Sequence, residues 1–369
     1  MYEIIVNEKT KTELVTSDFY YDLPAELIAQ HPMPARDASR LMVLDRATHT
    51  VTHRHFYDIV DYLHESDVLV INDSKVIPAR IFGHAAERAE AMIELLLLRQ
   101  RALDTWEVLV KPGKRAKIGA RLVFGEGELV GTVTDIVAEG NRLITFEYDR
   151  ERYANIYDIL HRIGTMPLPP YITERLEDQG RYQTVYAHAL GSMAAPTVGL
   201  HFTPELIEEI KKRGAKVVKI TLHVGAGTWK AVTSEKVADH RMHSEWGRIT
   251  QKHVDIINKA KRVIAVGTTS LRLLETAAKN NPCRRRYKRV APFCGTTRIF
   301  ITPGFRFRAV DVLLTNFHLP QSTLFMLVSA FSGMEQMKAA YSHAVAEKYR
   351  FFSYGDCCLL FKKEKDKGE

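Results

Sequence analysis

Thr203-Pro204-Glu205, continuing to Arg213-Gly214, and then Lys216-Val217-Val218-Lys219-Ile220-Thr221-Leu222-His223-Val224-Gly225-Ala226-Gly227-Thr228 pass from helix to strand to glycine-rich turn. Thr203 is placed to cap a helix, with Pro204 at its first position and Gly214 at its stop. Residues 216–224 alternate β-branched and polar side chains, as a strand does. Two glycines one residue apart at a strand's carboxyl end let backbone approach a ligand closely.

The same order recurs downstream. Arg262–Val266 reads as a buried strand, Gly267 as a sharp turn, and Thr268-Thr269-Ser270 as the cap of a helix running to about Lys279. Strands are expected at 41–44, 67–71, 299–302, 310–315 and 358–361. Short helices are expected at 25–30 and 152–162. Ser322 is placed to cap an apolar helix that ends at Gly333, and a second helix follows from Met334. Strands alternating with helices give an α/β class. Between about Gly83 and Tyr148 the texture differs, with successive strands parted by Pro112-Gly113, Gly125-Glu126-Gly127 and Glu139-Gly140-Asn141. The expected architecture is therefore a larger mixed α/β domain, residues 1–80 and 160–369, with a small all-β, barrel-like domain inserted at 81–159. The proline tract 167–170 makes the return linker.

A chain of 369 residues is long for one core, which agrees with two domains. No apolar run spans a bilayer and the amino terminus lacks a secretory pattern, so no membrane association is expected and the cytoplasm is the expected compartment. Cys283, Cys294, Cys357 and Cys358 have neither zinc-site nor redox-motif spacing and read as free thiols. The net charge of +8 permits a polyanionic partner without requiring one.

Chemically able residues collect between Ala194 and Trp246, where four of the fifteen histidines fall: His201, His223, His240 and His243, with Asp239 and Glu245 beside them. Strand ends at Gly225, Gly267 and Asn316 are expected to meet at one cleft, as they do in α/β domains. A metal held by His240 and His243 with Asp239 or Glu245 is one reading, but no paired-histidine spacing on a good helix supports it. Neither Ser192 nor Ser244 sits in a nucleophile-elbow motif. Acid–base work by imidazole and carboxylate around a ligand held by glycine-rich backbone fits better.

Asp22-Leu23-Pro24, His31-Pro32, Asn72-Asp73-Ser74-Lys75-Val76-Ile77-Pro78-Ala79-Arg80, Tyr182-Gln183-Thr184-Val185-Tyr186, Ala195-Pro196-Thr197-Val198-Gly199-Leu200-His201-Phe202-Thr203, Leu222–Thr228, Asp239–Glu245, Val266–Arg272 and Thr315–Leu324 occur in this order. In these motifs the chain closely resembles the S-adenosylmethionine:tRNA ribosyltransferase-isomerase family of queuosine biosynthesis, over nearly its whole length. Trp229, Arg298 and the basic loop 284–289 depart from the family pattern without touching a motif glycine or histidine.

The resemblance implies transfer of the ribosyl part of S-adenosylmethionine to 7-aminomethyl-7-deazaguanine (preQ1) at the tRNA wobble position, giving epoxyqueuosine and releasing adenine and methionine. It also implies S-adenosylmethionine as co-substrate, no metal, and action as a monomer on the anticodon arm. On this reading His243 or His201 is the base, tuned by Asp239 or Glu245. Thr197, His223, Gly225, Gly227, Thr228, Gly267, Thr268 and Thr269 hold the co-substrate, with Trp246 or Phe317 facing the sulfonium. Arg36, Arg40, Lys75, Arg80 and Arg284–Arg286 grip RNA phosphates, and Asn72, Asn316 or His318 reads a base edge. The alternatives are an S-adenosylmethionine-dependent RNA methyltransferase and a non-catalytic tRNA-binding protein.

Overall fold

The computed structural model describes residues 2–3, 13–45, 50–174, 176–229, 231–282 and 288–362. The chain opens with β1 (Tyr2–Glu3), β2 (Arg40–Leu44), β3 (Thr50–His55), β4 (Asp67–Asn72) and the short β5 (Ser74–Val76). Next come β6 (Arg80–Ala85), β7 (Arg88–Ala102), β8 (Thr105–Lys111), β9 (Arg121–Phe124), β10 (Leu129–Ile136), β11 (Arg142–Glu147) and α1 (Ile156–Ile163). The remainder is β12 (Ala189–Ser192), α2 (Pro204–Lys212), β13 (Lys216–Leu222), β14 (Glu245–Ile249), α3 (Gln251–Ile257), β15 (Arg262–Val266), α4 (Gly267–Lys279), β16 (Phe293–Thr297), β17 (Val312–Asn316), α5 (Thr323–Ser332), α6 (Met334–Ala346) and β18 (Cys357–Phe361).

One ten-stranded sheet organises the α/β part, in the order β1-β3-β2-β18-β17-β15-β4-β13-β14-β16. Its centre, β13-β4-β15-β17, is parallel. Burial on both faces explains why β4 is apolar almost throughout. Alternate residues serve opposite layers: Val68, Val70, Val218 and Ile220 pack with α4, α5 and α6, whereas Leu69, Ile71, Ile264 and Val266 pack with α2.

Strands β6–β11 close into a barrel, all neighbours antiparallel. Ile81, Leu95, Trp106, Leu122 and Ile144 fill it, and α1 covers it with Ile156, Ile159 and Leu160. The chain enters the barrel at Arg80 and leaves it at Thr165, two residues joined by an antiparallel bridge, while β5 and β12 pair in parallel as a small two-stranded sheet.

Local departures from the sequence expectation have physical causes. Residues 25–30 form one 3-10 turn, Ala25–Leu27, because Ile28 bridges to Phe351 instead of continuing a helix. Strand β6 begins directly after the Pro78 segment. The strand expected at 299–302 is irregular, while β14 and β16 are strands that are not among those expected. Helix α4 starts at Gly267, with Val266 as its cap residue and no side-chain cap bond, so the Thr268-Thr269-Ser270 hydroxyls do not cap it. Among the described residues no helix is long and apolar enough to cross a membrane.

Candidate active site

The three strand ends do meet. Val224 and Thr228 after β13, Gly267–Thr269 after β15, and Thr315, Asn316 and His318 at the end of β17 line one cleft with Thr197 and Val198. It holds about 540 Å³ of empty space counted to its open mouth. Gly267 has φ +85°, and a Cβ there would lie 3.2 Å from Val198 Cγ1. Glycine at this turn is what lets α4 begin at the cleft wall, its first N–H groups and positive dipole end free for an anion. The Thr269 and Ser270 hydroxyls are buried and lack a hydrogen-bond partner among the described residues.

Behind the 225–228 turn stands Glu245, buried at the start of β14. Its Oε2 pairs with Arg272 of α4, and its Oε1 accepts from Gly225 N at 3.1 Å and lies 3.4 Å from Thr228 Oγ1. His243 Nε2 is 3.2 Å from the same Oε1. Burial pushes the Glu245 carboxyl up, but Arg272, His243 and the Gly225 N–H outweigh it and bring the pKa down to about 2. The His243 ring lies against Gly227, where a Cβ would come within 2.5 Å of it. Gly227 is therefore required by the imidazole rather than by a ligand, and nothing lies closer than 4.0 Å to a Cβ at Gly225.

The other candidates are placed as follows. His201 is buried, with Nδ1 3.2 Å from Arg36 O and Nε2 3.3 Å from Asn316 Nδ2, and burial lowers its pKa to about 4. His318 borders the cleft, 3.0 Å from Thr315 Oγ1, and burial lowers it to about 3. His223 bonds Ser74 Oγ of β5 at 2.8 Å and stacks on Trp246. Asp239 is exposed on a 3-10 turn. His240 lies against Phe300. Among the described residues no three His, Cys, Asp or Glu side chains gather as a metal-holding group.

Asn72 is fully buried: it donates to Leu222 O and accepts from Leu222 N and Ser74 N, so its amide holds β4 to β13 and has no edge left for a base. Asn316 borders the cleft, but its Oδ1 accepts from Thr197 Oγ1 at 2.8 Å and its Nδ2 faces His201 and two backbone carbonyls. Arg36 donates to Leu200 O and Gly180 O. Arg40 donates to Glu347 O and lies 3.7 Å over the Tyr349 ring. Lys75 sits in the short strand β5, and Arg80 pairs with Glu94 at the barrel entrance. Arg284–Arg286 lie outside the described residues; Arg289 of the same loop is tied to Asp311.

The aromatic lining differs from the expectation. Phe317 is sealed in an aromatic core and Trp246 faces outward, whereas Tyr171, Tyr182, Trp229 and Phe352 border the cleft. Phe352 has φ +72°, a left-handed backbone rare for an aromatic residue, and its ring meets Tyr171 at 4.0 Å between centroids. Nothing in the local sequence signals that conformation. Tyr182 belongs to the motif Tyr182–Tyr186, and its place at the cleft is legible only through that motif.

The family model described as "Queuosine biosynthesis protein" matches residues 16–360. The S-adenosylmethionine:tRNA ribosyltransferase-isomerase of Acetivibrio thermocellus is 54% identical, the match covering 93% of this chain and 99% of that protein. The enzyme of the same name from Caldanaerobacter subterraneus subsp. tengcongensis is 51% identical over the same shares. The solved structure of S-adenosylmethionine tRNA ribosyltransferase from Thermotoga maritima is 37% identical with a TM-score of 0.53, covering 94% of this chain and all of that one. An α/β body with an inserted barrel, a cleft where its strands end, and relatives matched nearly end to end converge: the chain belongs to the queuosine biosynthesis protein family, among the S-adenosylmethionine:tRNA ribosyltransferase-isomerases.

Proposed function

We propose that this chain transfers and isomerises the ribosyl moiety of S-adenosylmethionine onto preQ1 at the tRNA wobble position, giving epoxyqueuosine-tRNA, adenine and methionine. The observation that carries the reading is the meeting of three strand ends at one cleft in a chain more than half identical to enzymes of that name. The cleft's own chemistry suits the co-substrate. The α4 amino end and the unpartnered Thr269 hydroxyl suit a carboxylate, and four aromatic residues suit a sulfonium. Thr197, Thr228, Gly267, Thr268 and Thr269 are assigned to hold it; Gly225, Gly227 and His223 shape the wall behind.

A sulfonium acidifies its neighbouring C–H, so the protein has to supply one well-placed base. Of the candidate bases and tuning carboxylates, His243 with Glu245 is preferred to His201 and Asp239. His243 has a carboxylate 3.2 Å away, whereas both His201 nitrogens face fixed groups and Asp239 is remote from either ring's contacts. His201 is then a positioning residue for Asn316. His318, held neutral near pH 7 by burial, can take part in hydrogen bonds at the cleft but is a poor proton acceptor there. We assign residues 1–80 and 160–369 to the catalytic unit and 81–159 to the inserted one, with a cytoplasmic tRNA as partner and the monomer as acting species.

Incubation with preQ1-containing tRNA and S-adenosylmethionine tests the reading through adenine release. Adenine that depends on the tRNA is expected. S-adenosylhomocysteine instead would mean a methyltransferase, and intact co-substrate a non-catalytic RNA binder.

A further inference from the structure

A second, smaller cavity opens on the other side of His201, and its chemistry is cationic. Arg36, Arg181, Ser353 and Tyr354 line it with His201. Arg36 comes from the 3-10 turn Arg36–Ala38, Arg181 from the 3-10 turn Gln179–Tyr182, and Tyr354 from the loop before β18. Arg350 stands at its edge, donating to the carbonyl of His31, the chain neighbour of lining Pro32.

The three guanidinium groups are held by backbone carbonyls and not by acids. Arg36 donates to Leu200 O and Gly180 O, Arg181 to Pro34 O and Met33 O, and Arg350 to His31 O. Among the described residues none of them has a carboxylate within ion-pair distance. Asp178 and Asp356 stand nearby, Asp178 spending Oδ1 on Gly180 N, and Asp356 its two oxygens on Arg40 N and Arg350 N. Carbonyls fix a guanidinium's direction without cancelling its charge. Arg181 Nε, Arg350 Nη1 and the hydroxyl of Tyr354, a residue only 2% exposed, are buried donors with no partner among the described residues. Unmet buried donors around a positive cavity mark a place for an oxyanion.

The cavity adjoins the main cleft. Ser353 borders both, Tyr354 packs edge-on against cleft-lining Tyr182, and His201 joins the cavity to Asn316. We propose that Arg36, Arg181, Arg350 and Tyr354 form an oxyanion site that takes a phosphodiester of the RNA next to the reacting nucleotide. This rests on the tRNA reading above. The carboxylate of the small co-substrate is the other source of the same chemistry; the α4 amino end in the main cleft already suits it, which favours the phosphodiester here.

The test measures binding of an unmodified anticodon stem-loop against NaCl concentration, together with Michaelis constants for both substrates. Arg181→Gln is expected to flatten the slope of log affinity against log salt by about 0.7–0.9. It should raise KM for tRNA about tenfold and leave KM for S-adenosylmethionine in place. Because Arg181 also braces Pro34 and Met33, Tyr354→Phe is the control: it removes a hydroxyl that bonds to nothing, so the unfolding midpoint should not fall while RNA affinity drops about threefold. An unchanged slope with a raised S-adenosylmethionine KM would put a carboxylate in the cavity and overturn the proposal. Movement of neither quantity in either variant would overturn it as well. If the wild-type protein made no tRNA-dependent adenine, the enzymatic reading would fall, yet a slope changed by Arg181→Gln would still support the phosphate site.

Discussion

Glu245 carries two duties at once, and they can be separated by substitution. Its carboxylate neutralises Arg272, whose side chain is 5% exposed, and it also stands 3.2 Å from His243. Glu245→Gln leaves a buried guanidinium without its counter-charge, a change that costs about 3–5 kcal/mol, read as a lower urea midpoint. His243→Ala leaves the Glu245–Arg272 pair whole, and its side chain is 28% exposed, so the fold should tolerate it. Adenine release should nevertheless fall by about 10²–10⁴-fold, the usual worth of a positioned base. Near-normal turnover in His243→Ala would remove this histidine from the chemistry. The sequence brought Asp239, His240, His243 and Glu245 together as neighbours in the chain. Only the fold separates them, because β14 turns Glu245 inward while the 3-10 turn leaves Asp239 outside.

At the scale of elements, the legible units were those whose signal is local. A buried strand, a glycine and an apolar helix announce β15, Gly267 and α4, and Ser322 caps α5 as its position suggests. Strand β14 was hidden because its inward residues are Glu245, Gly247 and Ile249: the buried carboxylate needs Arg272, and the glycine needs Leu273, whose Cδ1 would lie 2.7 Å from a Cβ. The start of α4 was legible in place but not in chemistry. Its hydroxyls cap nothing, which leaves Thr269 facing the cleft with an unmet hydrogen bond. Thr269→Val keeps the shape and deletes that group. Its unfolding midpoint should stay level or rise slightly, since no bond in the free protein is lost, while KM for S-adenosylmethionine rises about tenfold, equivalent to one hydrogen bond. A midpoint drop with an unmoved KM would return the hydroxyl to a structural role.

Over the whole molecule, composition and alternation sufficed for an α/β body with an inserted barrel, whereas the junction between them is an antiparallel bridge of Arg80 with Thr165, 85 residues apart. Long-range pairing of that kind leaves no periodic trace. Nor does the sequence distinguish histidines at a cleft from histidines in a core, yet that difference governs how the molecule responds to acid. Burial lowers His201 to about 4 and His318 to about 3, and lowers His53, His223, His240 and His253 in the same direction. In the unfolded chain these rings take up protons near pH 6.5, while His201 and His318 stay neutral in the fold. The unfolded state therefore binds more protons, and stability, complete above pH 6.5, falls as pH drops from 6.5 toward 4. His201 and His318 together give a slope approaching about 2.7 kcal/mol per pH unit near pH 5. Glu245, depressed to about 2, adds a further loss only below the ordinary carboxylate range, as pH falls from about 4.5. Glu275 and Asp356 are raised by burial and act in the opposite sense, so the comparison with a variant is the clean reading. Urea midpoints measured from pH 7.5 to 5 should fall steadily for the wild type, and His318→Asn should remove about half of the slope that the two buried rings supply. A midpoint independent of pH across that window would mean that neither ring is held neutral by the fold.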